Sequence, residues 1–530
     1  MLTNSFKDVC VYRNRHEDIF TRNTSENLTE LQVAQEEKFA LNREESEKFF
    51  LLQASEMETL KIVSEMEWKD NLVTWDNITP LNFKIFTNLR KLILLEATVS
   101  DEDLQVLSKN CLHLEALHLI KCFCEHLHAI VPGITLNVKL LQGITRLREL
   151  KIEPQKPPGT ESFLQFKYLQ QLMGKHMKLN YLWLKDFIID CTDKNVNLED
   201  IPDNLCDLEV LNIGIITKDF WCPFTNYLKF CSRLRDLTIH LNDCTIIINV
   251  KIIDILRKYC KNLKVLSLIN CQINLECFCD LKGLLELSLI RCSGLTYANL
   301  QQILGGLQLK TFKLVDTHVS EVNNHIYIAD TLESMTIDCI RFADLSQIFQ
   351  NALNNFDQLI SLNWLKGFVN HNWLTEKCPR LEYLQMPNPY YLAPQIENMK
   401  YLQELHINSC NGLTWRLLNR IIRRASLKRL HLITPYFMVD KKRIPEKAFY
   451  VNTTLEMITM PYEMFLLAFR HWLDLLSLNN NLSLVVYGKA SDILSAKVLM
   501  LLLKEDCIQL RWYKVKICGF SLGKNSYAMF

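Results

Sequence analysis

The chain has 530 residues, of which 48% are apolar and 22% charged, a composition typical of globular proteins with a large core. Its formal net charge of +1 gives no whole-chain attraction to nucleic acid or to an anionic membrane. Only 14 residues are glycine, and phosphate-cradling loops, dinucleotide turns and nucleophile elbows all need glycine. The length exceeds what one non-repetitive core supports, whereas a repeat array lengthens as a single unit.

The sequence indicates a compartment in which thiols stay reduced. Its N-terminus lacks the basic and apolar regions of a secretory signal, and no run of about 18 apolar residues is present to span a bilayer. We expect a cytoplasmic or nuclear chain, with neither membrane nor nucleic acid among its partners. The 19 cysteines then need another explanation than disulfides, which are rare in such compartments.

Residues 1–75 are predicted to form an acidic, partly helical cap. Residues 26–70 contain 12 Asp and Glu against 5 Lys and Arg, and an apolar stripe runs from Phe49 to Val63. A terminal repeat of a solenoid needs an atypical outer face, which such a cap supplies. An acidic docking arm is the alternative interpretation.

A leucine motif, L-x-x-L-x-L with Ile, Met or Phe variants, recurs along most of the chain. Clear examples are LEALHL at Leu114, LKVLSL at Leu263 and LQELHI at Leu402. About 17 units begin between Leu89 and Leu510, so the mean period is about 26 residues, within the range of leucine-rich repeats. Residues 76–520 are therefore predicted to form a leucine-rich-repeat array, with a C-terminal tail at 521–530.

Each unit is expected to contain a short strand, a turn and a helical segment. Alternate strand residues face opposite sides, so the fourth and sixth positions of the motif point inward. Stacked units bury this face, which no single unit can bury. The predicted fold is an α/β leucine-rich-repeat solenoid, a horseshoe with parallel strands on its inner curve and helices on its outer curve.

The cysteines recur in step with the repeat, when positions are counted as offsets from the first leucine of each motif. Nine cysteines share two offsets: Cys122, Cys271, Cys292, Cys410 and Cys518 lie at +8, and Cys111, Cys231, Cys260 and Cys378 lie at −3. A small thiol in the tight turn beside a strand packs as a modest hydrophobe. These cysteines are therefore expected to be buried, reduced and unbridged.

The pattern C-x-x-L-x-x-L-x-L-x-x-C, as in CLHLEALHLIKC at Cys111, resembles the cysteine-containing repeats of F-box/LRR proteins over about residues 85–520. The resemblance implies a protein substrate on the concave face. It further implies the substrate-binding subunit of an SCF (Skp1–cullin–F-box) ubiquitin ligase, which acts in ubiquitin-dependent protein degradation. The alternative is a monomeric protein-binding scaffold without a ligase connection. Neither interpretation makes the chain an enzyme.

An F-box in this family begins near L-P-x-E-[IV]-L, and no such start occurs in the sequence. The segment Phe6–Phe20 resembles the closing end of an F-box and its exit helix, where V-C-x-x-[WF] is common. Val9 and Cys10 fit that pattern, but Arg13 stands where an aromatic residue is expected. Either the motif is truncated or the chain never had it. Skp1 and cullin are expected as partners if an F-box is supplied upstream.

No metal site, cofactor or catalytic centre is predicted. The segment CFCEHLH at Cys122–His128 has metal-ligand residue types, but its one-residue spacings are too tight for the usual zinc clips. None of the 13 histidines lies on a recognisable catalytic loop.

The stretch Arg416–Lys447 contains ten Lys and Arg against Asp440 and Glu446. A solvated helix is the default interpretation. A patch that binds an acidic or phosphorylated partner is the alternative, and a patch that binds nucleic acid is the third interpretation.

Strand offsets +2, +4 and +6 are expected to project from the concave side, where solenoids bind partners. Tyr181 and Trp183 are the strongest candidates, since exposed aromatic rings are typical anchors of protein contacts. The predicted partner-binding residues are Tyr181, Trp183, His240, Ile269, Glu286, Ile290, His406, Arg429 and His431. A shifted register is the alternative, and it would bury these side chains.

Overall fold

The computed structural model describes residues 8–13, 58–64, 86–95, 98–99, 101–124, 141–154, 161–174, 177–192, 202, 205–242, 246–273, 280–317, 319–320, 327–338, 352–366, 374–387, 398–408, 413–424, 426–433, 452–479, 481–488 and 515–519. The chain divides into two compact units, Met1–Gly283 and Leu284–Phe530.

The first unit is built from short strands that follow one another along the chain. They are β1 (Asp8–Arg13), β2 (Thr59–Ser64), β3 (Lys91–Leu95), β4 (Thr98–Val99), β5 (Ala116–Cys124), β6 (Glu149–Pro154), β7 (Ser162–Gln165), β8 (Tyr181–Leu184), β9 (Phe187–Asp190), β10 (Val210–Ile216), β11 (Asp236–Leu241), β12 (Ile247–Ile248), β13 (Val265–Ile269) and β14 (Gln272–Ile273). Its helices are α1 (Asp101–Asn110), α2 (Phe166–Leu172), α3 (Lys218–Tyr227) and α4 (Val250–Tyr259).

The second unit repeats the same plan. Its strands are β15 (Glu286–Ile290), β16 (Leu295–Thr296), β17 (Thr311–Val315), β18 (Val319–Ser320), β19 (Ser334–Asp338), β20 (Ser361–Lys366), β21 (Tyr383–Met386), β22 (Glu404–Ile407), β23 (Arg429–Leu432), β24 (Met457–Pro461), β25 (Ser483–Gly488) and β26 (Val515–Gly519). Its helices are α5 (Tyr297–Gly306), α6 (Leu374–Lys377), α7 (Trp415–Ile422), α8 (Tyr462–Leu467) and α9 (Phe469–Leu478).

Strands of successive repeats pair in parallel, position for position. In the first unit, Leu92 of β3 pairs with Leu117 of β5, which pairs with Leu150 of β6. In the second unit, Leu405 of β22 pairs with Leu430 of β23. Parallel strands need a crossover between them, and the helical segments provide it. The predicted α/β leucine-rich-repeat solenoid is confirmed.

The leucines pack as strand alternation requires. In β13, Leu266 and Leu268 are buried, whereas Val265, Ser267 and Ile269 are half-buried. The helices bury one stripe against the same core, as Leu104 and Leu107 do in α1. A buried leucine contributes roughly 2 kcal/mol through apolar area removed from water, so each repeat that adds buried leucines stabilises the array.

A tight turn before each strand explains the cysteines at offset −3. The N–H of Leu114 donates to the carbonyl oxygen of Cys111 at 3.0 Å, and Leu263 bonds Cys260 in the same way at 3.0 Å. The cysteine side chain lies inside the unit, and other repeats bury larger apolar residues at the same offset, such as Phe86 and Met399. All four cysteines at this offset are buried and unbridged: Cys111, Cys231, Cys260 and Cys378.

A second turn follows the strand and explains the cysteines at offset +8. The residue at +7 takes a left-handed backbone, with φ of 58° at Asn270 and 53° at Arg291. This reversal directs the next side chain inward, and Cys122, Cys271 and Cys292 are buried and unbridged. The Cys271 thiol donates to the carbonyl oxygen of Ile269 at 3.3 Å. The side chains of Cys410 and Cys518 lie outside the described residues.

The helical prediction for residues 1–75 is wrong wherever the structure describes that segment. Asp8–Arg13, which contains Val9 and Cys10, is the strand β1, and it pairs in parallel with β2 at Thr59–Ser64. The other residues of the segment, except Glu58, lie outside the described part of the chain. Both strands extend the repeat plan toward the N-terminus. None of the helices that the structure describes is long and apolar enough for a membrane span.

Candidate functional site

The open strand face is defined here as the side of each strand opposite the buried leucines, formed by offsets +2, +4 and +6. None of the nine predicted partner-binding residues is buried. Glu286 and Arg429 are exposed, and the half-buried residues are Tyr181, Trp183, His240, Ile269, Ile290, His406 and His431. The shifted-register alternative therefore fails for these repeats. Partner binding by these residues stays a prediction.

The structure brings some of the nine residues together within each unit. In the first unit, Tyr181 and Trp183 share β8, and His240 of β11 pairs with Ile269 of β13. In the second unit, Glu286 and Ile290 share β15. His406 of β22 pairs directly with His431 of β23, beside Arg429.

The aromatic pair consists of Tyr181 and Trp183. Their rings stack with centroids 6.4 Å apart and planes 22° apart. The two side chains are neighbours on one face because they are two positions apart on a strand. Burial raises the pKa of Tyr181 to about 12, aided by the charges of Glu149 and Asp236. The phenol thus stays protonated at neutral pH and can donate a hydrogen bond.

The polar surroundings of the aromatic pair come from the neighbouring strand β6. Lys151, the register partner of Trp183, places its Nζ 5.7 Å from the centroid of the indole ring. The Nε1 of Trp183 is buried, and no acceptor bonds it within the described part of the chain. Leaving such a group unpaired costs about 1–3 kcal/mol.

A histidine–carboxylate pair adjoins the aromatic pair. The ring Nε2 of His118 in β5 lies 2.7 Å from Oε1 of Glu149 in β6. This hydrogen bond holds the pKa of Glu149 below its ordinary value. The pair is only partly exposed, so solvent screens the charge of Glu149 less than that of a fully exposed carboxylate.

The histidine cluster of the second unit consists of Tyr383, Glu404, His406, Arg429 and His431. The Nε2–H of His406 donates to Oε1 of Glu404 at 2.7 Å, and the rings of His406 and His431 stack with centroids 4.0 Å apart. Arg429 holds the other carboxylate oxygen, with its Nε 2.6 Å from Oε2. The ring of Tyr383 lies 5.0 Å from that of His406.

The charge state of the histidine cluster follows from burial and from its ion pairs. Burial lowers the pKa of His431 to about 4, helped by repulsion from His406, and burial also lowers the pKa of His406. For Glu404, burial raises the pKa, but hydrogen bonds from His406 and Arg429 outweigh that effect and lower it overall. At neutral pH the cluster therefore contains two neutral imidazoles, one carboxylate and one guanidinium.

Sequence reasoning missed Tyr383, Lys151 and Glu149, and it placed Glu404 on the strand face without naming it as a partner-binding residue. Their signal was the offset. His406 and His431 both lie at +4 of consecutive repeats, and Glu404 and Arg429 both lie at +2. Residues at equal offsets become neighbours across a parallel sheet. Histidines at offset +4 of two consecutive repeats, beside opposite charges at offset +2, therefore predict a cluster of interacting polar side chains.

Of the segment Cys122–His128, only the side chain of Cys122 is described, and it is the buried repeat cysteine. Cys124 belongs to β5, but its side chain lies outside the described residues, as do His126 and His128. The absence of a metal site there stays a prediction.

No protein-family model matches the chain, and no curated protein does so either. Among solved structures, the chain is similar to the functional domain of InlJ from Listeria monocytogenes, a structure described as including a cysteine ladder. The identity is 15%, the match covers 71% of this chain and 70% of that chain, and the TM-score is 0.25. A similarity of this size carries no argument about function.

Proposed function

We propose that this chain is a non-enzymatic, protein-recognition scaffold that binds a partner protein on its open strand face. The observation that carries the proposal is the aromatic pair, Tyr181 and Trp183. Two large rings lie partly exposed on the four-residue strand β8, at positions where a solvated face needs only polar side chains. Tryptophan and tyrosine are enriched among the residues that dominate binding energy at protein interfaces.

Rigidity supports the same conclusion. The two rings are held against each other by stacking and Trp183 is held by Lys151, so little side-chain entropy is lost when a partner covers them. The pair also lies beside charges of both signs, Lys151 and Glu149. A partner surface with an apolar centre and a polar rim matches this arrangement.

The finer proposal is that the scaffold is the substrate-binding subunit of an SCF ubiquitin ligase. Its support is the resemblance of the cysteine-containing repeats to F-box/LRR proteins. The buried, unbridged cysteines at offsets −3 and +8 agree with that repeat type. In this account, Skp1 and cullin join the chain through an F-box supplied upstream. A monomeric scaffold without a ligase connection is the alternative, and it uses the same face.

Affinity purification of the full chain from cells, with quantitative mass spectrometry, tests both proposals. The ligase proposal expects Skp1 and a cullin to co-purify, in amounts comparable to the bait, with a form that carries an F-box upstream of this chain. A saturable partner that comes from that form without Skp1 or cullin supports the scaffold alone and contradicts the ligase role. The scaffold proposal fails if no protein is enriched over a matched control in which Trp183→Ala and Tyr181→Ala are combined.

A further inference from the structure

Three ligand atoms of the histidine cluster converge on one point of the open strand face. The Nε2 of His406 lies 2.7 Å from Oε1 of Glu404, and the Nε2 of His431 lies 3.6 Å from the same oxygen. All three ligand atoms are within 4.8 Å of one another. Ligands that bind Zn²⁺ at about 2.0–2.2 Å in tetrahedral geometry are themselves about 3.3 Å apart, so these distances bracket the required spacing.

The backbone fixes this convergence. His406 and His431 are register partners on adjacent parallel strands, where strands lie about 4.8 Å apart. Glu404 precedes His406 by two positions and so points to the same face. Binding of one ion by both imidazoles requires rotation of the stacked rings, while the strands that carry them stay in place.

Binding of an ion by Nε2 of His406 replaces the hydrogen bond from that nitrogen to Oε1 of Glu404, so the imidazole takes the tautomer that carries its proton on Nδ1. Arg429 occupies only Oε2 of Glu404, which leaves Oε1 directed at the two rings. The positive charge of Arg429 repels a metal ion at this site, and the negative charge of Glu404 offsets that repulsion.

We propose that Glu404, His406 and His431 form a binding site for a divalent transition-metal ion, of which Zn²⁺ fits the donor set best. Two imidazoles and one carboxylate suit Zn²⁺ and its first-row neighbours, whereas Ca²⁺ and Mg²⁺ prefer oxygen ligands alone. Three protein ligands leave a coordination position toward the open face. That position can take water or a side chain of a docked protein, but the site itself does not depend on the proposed partner.

The first unit offers a matched control. His118 and Glu149 reproduce the 2.7 Å contact between Nε2 and Oε1, also on the open strand face, but with a single imidazole. A histidine–carboxylate pair alone lacks the third ligand. His118→Gln should therefore leave metal binding unchanged, whereas His406→Gln and His431→Gln should remove it.

The experiment titrates the purified, metal-stripped full chain with Co²⁺ and follows the visible absorption, and then displaces Co²⁺ with Zn²⁺. Co²⁺ bound by nitrogen and oxygen gives d–d bands without the sulfur charge-transfer band that bound thiolates would add, so the exposed cysteines do not confuse the signal. We expect one such site, with the affinity lowered at least tenfold in His406→Gln and His431→Gln and unchanged in His118→Gln. The urea unfolding midpoint of each variant verifies that it is folded.

Equal Co²⁺ spectra and affinities in the native chain, His406→Gln and His431→Gln would overturn the proposal. Loss of the signal in His118→Gln alone would also overturn it. Glu404→Gln provides a second route if a histidine variant does not fold, since it removes the carboxylate charge with little change in shape and is expected to weaken Co²⁺ binding at least tenfold.

Discussion

The Oγ1 of Thr317 accepts a hydrogen bond from the backbone N–H of Cys292 at 3.1 Å. The two residues hold the same position, offset +8, in successive repeats. Thr317 also donates to the carbonyl oxygen of Leu289 at 3.1 Å, whereas the Cys292 thiol donates to Ile290 at 3.5 Å. This position therefore takes a small side chain that donates to a strand carbonyl.

Replacement of Cys292 tests that rule. Cys292→Thr should change the free energy of unfolding by about 1 kcal/mol or less, because the hydroxyl can repeat the bonds of Thr317. Cys292→Asp should cost about 3 kcal/mol or more, because it places an unpaired charge in the core. Urea unfolding of both variants measures the difference. If both variants lost the same free energy of unfolding, the position would not require a small side chain with a hydrogen-bond donor.

Thiol accessibility separates the repeat cysteines from the others. Cys206 and Cys222 are exposed, whereas Cys231 and Cys271 are buried. A water-soluble alkylating reagent applied to the native chain should label the first two within minutes and the buried two only on unfolding, since thiolate character and access control the reaction. Peptide mass spectrometry identifies the labelled sites. Rapid native labelling of Cys271 would contradict the account of offset +8.

Alkaline pH should weaken the fold through two buried thiols. Burial raises the pKa of Cys111 to about 11 and that of Cys260 to about 12, from an ordinary value of 9.0. Above pH 9 the unfolded chain releases these protons and the folded chain keeps them. The contribution of the two thiols to the free energy of unfolding is therefore fully present below pH 9 and falls as the pH rises toward 11. Each thiol contributes a slope of about 1.4 kcal/mol per pH unit.

The control for this effect is Cys111→Ala, which removes one of the two thiols. Urea midpoints at pH 8 and pH 10 should differ less in Cys111→Ala than in the native chain. The same pH dependence in both proteins would mean that lysines and tyrosines, not the buried thiols, produce it.

Gly214 is required by the backbone of β10. Its φ is 89°, and an added Cβ would lie 2.5 Å from the carbonyl oxygen of Phe187, closer than any real contact. The pairing of β10 with β11 shifts between Asn212 and Ile215, around this glycine. Gly214→Ala should therefore cost about 2 kcal/mol or more. Gly283→Ala is the control, because its Cβ would meet only the carbonyl oxygen of Leu263 at 3.6 Å.

The strands and their buried faces could be predicted because the signal is local. In LKVLSL, Leu266 and Leu268 alternate with Val265 and Ser267, and alternation alone determines which side chains face the core. The turn cysteines were predictable for the same reason, since Cys271 and Cys292 repeat at one offset. Burial of both is confirmed.

The N-terminal segment shows where the local signal misled. In TLKIVS, Leu60 and Ile62 alternate as in a strand, but the surrounding acidic sequence favoured a helix. The structure makes Thr59–Ser64 a strand because β1 and β3 pair with it on either side. The β-branched residues of this segment already favoured a strand, so the acidic composition around it was the misleading signal.

The candidate clusters could be predicted only in part. The offsets of His406 and His431 placed them on one face, but the contacts of Glu404 with His406 and Arg429 depend on side-chain rotamers across two strands. Rotamers are set by packing, and packing cannot be read from spacing. The same holds for Lys151 above the ring of Trp183.

We expect the open strand face to bind a partner through Trp183. In Trp183→Ala, partner binding should weaken by about 2 kcal/mol, or roughly 30-fold, while the melting temperature stays nearly unchanged. Trp221 provides the matched control. It is also half-buried, but it lies on the helix α3 and not on a strand. Its ring centroid is 6.2 Å from that of Phe224.

The most direct measurement compares the native chain, Trp183→Ala and Trp221→Ala in quantitative affinity purification, with the melting temperature of each protein recorded. Proteins enriched by the native chain should be recovered at up to about 30-fold lower yield with Trp183→Ala, the full drop being reached when the bait concentration is well below Kd, and they should be retained by Trp221→Ala. Retention of those proteins by Trp183→Ala, or their loss only in proportion to unfolding, would contradict this prediction.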